Sequence, residues 1–432
     1  MATMTQAQFN AQQQQQALQA FMAREQQNAL RKQDLDFMRS LEQIAACPVT
    51  GGSGTTAAYT VGSTIYFDLP VMPSGFAKGL LIKYNFTSVL PATGTSATYA
   101  LNKAAQFAIF SEIALQYNGG QIRTHPYFLK VQDQIKGFLR GAQNGVLAGQ
   151  NDSYVSNLIN GATPITVNAA NVWQGQMYLP LNALSEDDVK GILPVSGAGT
   201  HAQLKLTTPA NFMGNDPLIN PIATTGGTGA AVTATGTISV DMIYLTGSDL
   251  ESPQLLAPPP SVYGPTLQYF WEPSLSPLLT NAISRQTVTN KMRHHLMCSI
   301  VIDGAQSTDF AKWSNVTQFE LTGDATGSQK LKSWNVSNNV PVSDYFDREI
   351  RRRIGQDLDE GVILWVASPV RGTVNASNRM GNMAANMYPG GFPTLTHGYN
   401  VVTPGSPTGY SPRVETFLVS ENAKGLGLQQ VL

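Results

Sequence analysis

The sequence is poor in charge. Asp, Glu, Lys and Arg make up 13% of it, against roughly 25% in an ordinary soluble domain. A surface so sparsely charged suggests that other protein covers much of it. The formal net charge is −1, so no coat of basic residues exists to grip a nucleic-acid backbone, and no specific nucleic acid is expected as a partner. Cysteine is nearly absent. Cys47 and Cys298 give no disulfide framework, and folding in a reducing compartment is the simpler expectation. No apolar run approaches the roughly 18 to 20 residues that span a bilayer. The N-terminus is polar and glutamine-rich, unlike a secretory signal.

The signatures of common chemistry are missing too. There is no Gly-x-x-x-x-Gly-Lys-Ser/Thr, and no Gly-x-Gly-x-x-Gly joining a strand to a helix. Gly226-Gly227 and Gly390-Gly391 lack the following helix whose N-terminus would meet a phosphate. The histidines are His125, His201, His294, His295 and His397. Only His294 and His295 are neighbours, and adjacent strand residues face opposite ways, so they cannot share a metal. No Gly-x-Ser-x-Gly elbow marks a nucleophile. Asp357, Asp359 and Glu360 crowd one turn but lack the spacing of a calcium loop; a solvated connection is the expectation. No catalytic, cofactor-binding or metal residue is assigned, and the chain is expected not to be an enzyme.

What is present points to β structure. The 432 residues include 39 Gly and 25 Pro, and Ser, Thr and Asn crowd the stretches between apolar runs. The start differs. "MTQAQFNAQQQQQALQAFMAREQQNALRKQDLDFMRSLEQIA" has no Gly or Pro and many good helix formers. Leu18, Phe21, Met22, Phe37, Met38, Leu41 and Ile44 draw a broken stripe along one face. A helix with so narrow a stripe needs something to lie on, and these residues are candidates for an arm that docks under neighbouring subunits.

"CPVTGGSGTTAAYTVGS" reads as a flexible join, and strands follow. Leu80, Ile82, Tyr84 and Phe86 alternate with Leu81, Lys83 and Asn85, the period of a strand with one face in a core. "AQFAIFSEIALQYNGGQIR" suggests a short helix, a strand and a hairpin turn at Asn118-Gly119. "QMYLPLN", "AQLKLTT" and "TISVDMIYL" are further strands; Ser185 can cap a short helix, and "ATTGGTGAAVTATG" reads as an exposed loop. Pro258 to Pro260 then break the pattern, since they fit neither a central strand nor a helix interior.

Beyond them a second β-rich set begins with "HHLMCSIVIDG" and "VTQFELTG". A helix near 343–355 leads to "GVILWVAS"; a loop-rich excursion and "VETFLVSENA" close the set. Arg351, Arg352 and Arg353 spread over about 200° of that helix, so they cannot all grip one phosphate. Dipole complementation accounts for at least one; the others are candidates to pair with carboxylates across a subunit contact. The two halves share an outline, and the expectation is an all-β chain of two tandem jelly-roll sandwiches with an N-terminal helix and short inserted helices. The expected limits are an arm at 1–48, jelly rolls at 49–252 and 267–421, a linker at 253–266 and a tail at 422–432.

The order of features is familiar. "KGLLIKYNF", "AAQFAIFSEIALQYNGGQIRTHPYFL", "MYLPLNALSEDDVKGIL" and "REIRRRIGQDLDEGVILWVASPV" together resemble the double jelly-roll major capsid proteins of tectivirus-type bacteriophages. That resemblance implies upright jelly rolls, a pseudo-hexagonal homotrimer and an icosahedral shell over an internal membrane, with no cofactor and no enzymatic activity. It implies as partners the chain itself, neighbouring trimers, vertex or minor capsid proteins, and the membrane near the N-terminal helix. The place would be the virion capsid, assembled in the bacterial host cytoplasm, with loops at 195–235 and 372–412 as outer towers. The rival expectation is a non-viral surface adhesin or carbohydrate-binding sandwich, in which Tyr388, Phe392, Tyr399 and Tyr410 stack on sugars.

Overall fold

From Leu80 to Phe86 every second side chain is sealed inside. Leu80, Ile82, Tyr84 and Phe86 are at most 3% exposed, while Lys83 and Asn85 face solvent. The computed structural model of the chain describes residues 6–38, 41–72, 75–90, 98–102, 104–117, 120–131, 159–160, 170–181, 192–195, 202–214, 216–225, 232–246, 266–279, 282–289, 293–303, 310–323, 326, 328, 330–335, 359–366, 395–402 and 412–422. The expected helices at 185 and near 343–355, most of the linker and the tail beyond Asn422 lie outside these residues.

One helix, α1 (Gln6–Met38), precedes all strands. The first half then forms β1 (Glu42–Ala46), β2 (Thr56–Tyr59), β3 (Thr64–Asp68), β4 (Phe76–Val89), β5 (Thr98–Leu101), β6 (Glu112–Tyr117) and β7 (Gly120–Thr124). It continues with β8 (Ile159–Asn160), β9 (Ala170–Pro180), β10 (Leu193–Pro194), β11 (Ala202–Thr207), β12 (Ile222–Thr225) and β13 (Thr233–Leu245). The second half forms β14 (Thr266–Trp271), β15 (Ser284–Thr287), β16 (Arg293–Ile302) and β17 (Val316–Thr322). It ends with β18 (Lys330–Asn335), β19 (Val362–Val366), β20 (Thr396–Val401) and β21 (Arg413–Asn422).

The sheets repeat one plan. In the first half β1-β13-β4-β9 make one sheet and β3-β11-β6-β7 the other, with β2, β8 and β10 extending the first and β5 pairing β12 apart. In the second half the sheets are β14-β21-β16-β19 and β15-β20-β17-β18. Counting the eight principal strands of each half in chain order, both read first-eighth-third-sixth and second-seventh-fourth-fifth. That nested antiparallel order is the jelly roll. The chain is two of them in tandem, as its patterning predicts.

Several local readings need correction. Glu42–Ala46, read as the end of the helical arm, form β1 and pair with β13 in the register Glu42↔Leu245 to Ala46↔Asp241. Ladder pairing overrides the helix propensity of these residues. The supposed flexible join contributes β2, and the supposed Gly/Thr/Ala loop lends its ends to β12 and β13. The short helix ahead of β6 contracts to turns at 104–109. Thr396–Val401, inside the loop-rich excursion, is β20, a central strand between β15 and β17.

Gly236 shows why a glycine sits mid-strand. It lies opposite both Tyr59 and Phe86, whose rings stack at 3.8 Å. A Cβ here would come within 2.3 Å of the Phe86 Cα. The two rings close over bare backbone and cover what the missing side chain leaves open.

Candidate functional site

Among the described residues no group of three or more His, Cys, Asp or Glu is placed to hold a metal. The fold builds a seam instead. The sheet β14-β21-β16-β19 is buried on both faces. On one, Met297, Val301, Ile363, Val414 and Leu418 fill the core of the second jelly roll. On the other, Leu296, Cys298, Ile300, Val362, Phe417 and Val419 join the core of the first.

The first jelly roll meets that sheet with a wedge. After β7, Pro126 opens a helical stretch at 126–131, a position where its missing N–H costs nothing. Phe128 stacks on Phe417 with centroids 5.3 Å apart, and Tyr127 packs edge-on to Phe310 at 4.9 Å. The Tyr127 hydroxyl donates to Asp359, and Lys130 Nζ lies 2.6 Å from the same carboxylate. Asp359 of the acidic turn is thus not merely solvated but fastens one jelly roll to the other, while Glu360 is exposed and Asp357 lies outside the described residues.

His125 is sealed in this wedge. Its Nδ1 accepts the Tyr127 N–H at 3.1 Å, so Nε2 carries the proton and donates to the Leu218 carbonyl at 3.0 Å. Burial pushes its pKa down to about 4, and the ring stays neutral. Beside it, Arg413 Nη1 lies 2.5 Å from Asp216 Oδ2, and its Nε donates to Glu415 at 2.8 Å. Glu415 also accepts from Trp271 Nε1 at 3.0 Å and Ser274 Oγ at 2.7 Å. Burial alone would lower the Arg413 pKa; Asp216, then Glu415, raise it above its ordinary value.

The structure divides the predicted interface stripe. Leu18, Phe21 and Met22 are 59%, 61% and 60% exposed. Phe37 and Met38 are buried against Phe76, Ile192 and Leu245 of their own jelly roll, and Leu41 is half-buried with its carbonyl accepting the Thr246 N–H at 3.3 Å. Ile44 leaves the helix for β1. The root of α1 is therefore anchored while its middle offers an uncovered apolar face. Arg351, Arg352 and Arg353 lie outside the described residues. On the outer face of β4, β9 and β13, Lys83, Asn85, Gln174, Gln176, Thr237 and Ser239 line a shallow polar depression, and Lys83 pairs there with Asp241.

Sequence reasoning missed the seam. "THPYFLK" carries a faint signal in its proline and paired aromatics, but nothing local joins Asp216 to Arg413. It also offered Tyr399 as a sugar-stacking residue, whereas Tyr399 is wholly buried; Tyr388, Phe392 and Tyr410 lie outside the described residues.

Two jelly rolls of one strand order, joined through a shared sheet, make the double jelly-roll fold of viral major capsid proteins. The crystal structure of the STIV MCP, from the Sulfolobus Turreted Icosahedral Virus, matches with a TM-score of 0.51 at 10% identity, over 90% of this chain and 100% of that one. The mavirus major capsid protein matches with a TM-score of 0.45 at 10% identity, covering 87% and 86% of the two chains. The major capsid protein of bacteriophage PM2 gives 0.39 at 8%, covering 88% and 97%. No family model matches the chain, and no curated protein is significantly similar to it in sequence.

Proposed function

We propose that the chain is a major capsid protein whose homotrimers tile an icosahedral shell over an internal membrane. The observation that carries this reading is the repetition of one strand order in a single chain, with the two jelly rolls clamped by a buried seam. Three such chains around an axis present six similar sandwiches, and a six-fold outline from three subunits tiles a closed surface. The role is structural, not enzymatic. Fold alone does not fix function, and two further features support the assignment. The outer face of β4, β9 and β13 is polar, with its Lys83 already paired to Asp241, which suits burial against copies of the chain because a paired charge costs less to desolvate than a lone one. The apolar face of α1 projects from an anchored root.

In this reading Leu18, Phe21 and Met22 dock on neighbouring subunits first and on the membrane second, since a glutamine-rich helix has little attraction for anionic lipid. Arg351, Arg352 and Arg353 pair with carboxylates within or between trimers. Vertex or minor capsid proteins complete the shell, which assembles in the cytoplasm of a bacterial host and resides in the virion.

Light scattering on the purified full chain should give a trimer mass, and cells making it with its partner proteins should contain closed particles. Removing residues 1–34, which spares Phe37 and Met38, should leave trimers intact and cut the yield of closed shells at least tenfold. A stable monomer at high concentration would overturn the reading as a whole; normal particles from the shortened chain would overturn only the part given to α1.

A further inference from the structure

The chain buries a second histidine, and its surroundings differ from those of His125. His397 is the second residue of β20 and is fully buried, and neither ring nitrogen has a hydrogen-bond partner among the described residues. Tyr399, two residues on and facing the same core, packs edge-on at 5.4 Å. The Tyr399 hydroxyl donates to Ser299 Oγ at 2.6 Å, which in turn lies 3.3 Å from Thr416 Oγ1. Gln286, opposite His397 in register, also leaves its Oε1 unbonded.

Among the described residues no carboxylate faces the ring, and on β18 Lys332 holds the register position beyond Leu321, the residue opposite His397. On β15 and β17, Arg285 and Glu320 pair at 2.6 Å, and both pack over Gly398 on the opposite face of the sheet. On β21, Glu415 turns to the seam and Arg413. Glu272, ahead of β15, is engaged by Thr289 at 2.6 Å. From β16 and β21 the core receives Met297, Ser299, Thr416 and Leu418, none of them charged. Tyr399 is a titratable neighbour, and burial pushes its pKa up.

We propose that His397 is an acid-sensitive weak point of the second jelly roll: a proton on its ring meets no counter-charge among the described residues of the sealed core, so acidification loosens the packing around β20. A buried polar group without partners already costs stability, and a buried charge costs far more. Burial alone lowers the pKa of His397 to about 4 from an ordinary 6.5. The folded value lies below the unfolded one, so the unfolded chain binds the extra proton. Stability is complete above about pH 6.5 and falls as pH drops toward 4. Between pH 6.5 and 4 His397 alone raises the opening constant by about 80-fold, and the limit of about 300-fold is approached only well below pH 4.

The test is hydrogen exchange by the full-length protein between pH 7 and 4.5, corrected for intrinsic exchange rates, in wild type and His397→Phe. Peptides spanning β17 and β20 should lose protection with acid in the wild type and should do so far less in the variant. His125 is present in both and cancels in the comparison. Should His397→Phe fail to fold, His397→Gln tests the same point, since it also removes the titrating ring. Histidine proton resonances give an independent reading, with His397 remaining neutral at pH 5. Parallel pH profiles for wild type and variant, or a His397 titration near 6.5, would each overturn the proposal.

Discussion

Strands β4 and β16 hold the same place, third in chain order, in their two sandwiches, yet they are written differently. In β4 buried Leu80, Ile82, Tyr84 and Phe86 alternate with Leu81, Lys83 and Asn85, of which the last two are exposed. In β16 every residue from Leu296 to Ile302 is at most 2% exposed. The topology is the same, so topology does not set the pattern. What sets it is the number of covered faces: the sheet of β4 has one side open, whereas that of β16 separates two cores. A strand buried on both sides reads as a continuous apolar run.

The contrast predicts where substitutions hurt. Phe128→Ala, which empties the wedge under the doubly covered sheet, should cost about 3–5 kcal/mol and lower the midpoints of both sandwiches together in denaturant unfolding. If only the first sandwich responded, the cores would not be coupled through the seam. Arg413→Ala should cost about 3 kcal/mol by leaving Asp216 without its buried counter-charge. The loss stays at the low end because the backbone N–H groups of Leu218 and Ile219 still donate to Asp216 at 3.0 and 3.3 Å. Arg413→Ala together with Asp216→Ala should recover part of that loss, and a double variant worse than the single would refute the pairing. Lys83→Ala on the open face should change unfolding by no more than about 1 kcal/mol, because the Lys83 side chain is 46% exposed. A larger effect in the isolated chain would mean that this face is already covered.

Much of the architecture was legible in the residues. The alternation of β4, the apolar positions of β9, β11 and β13, and the proline break before β14 led to two sandwiches. Strands that violate the pattern were lost. β20 carries Gly398 and His397 among its six residues, and its burial comes from neighbours on both sides, not from its own apolarity. β1 has strong helix formers and becomes a strand only because β13 offers a free edge. The spacing of the stripe on α1 revealed apolar residues, but only the folded body decides that Phe37 and Met38 are spent internally while Leu18, Phe21 and Met22 remain uncovered. The seam was invisible for a simpler reason: Asp216, Asp359 and Arg413 meet only after the chain has closed both jelly rolls.

The common sheet also limits how the molecule can be taken apart. Its plan looks like a tandem copy, but neither copy is any longer a module. Cut free, the first would bare Tyr127 and Phe128 and the second Phe417 and Val419, so each excised piece would carry a sticky, water-averse wall. The two sandwiches of one plan form a single body, whose middle partition has two owners and tolerates drift for neither.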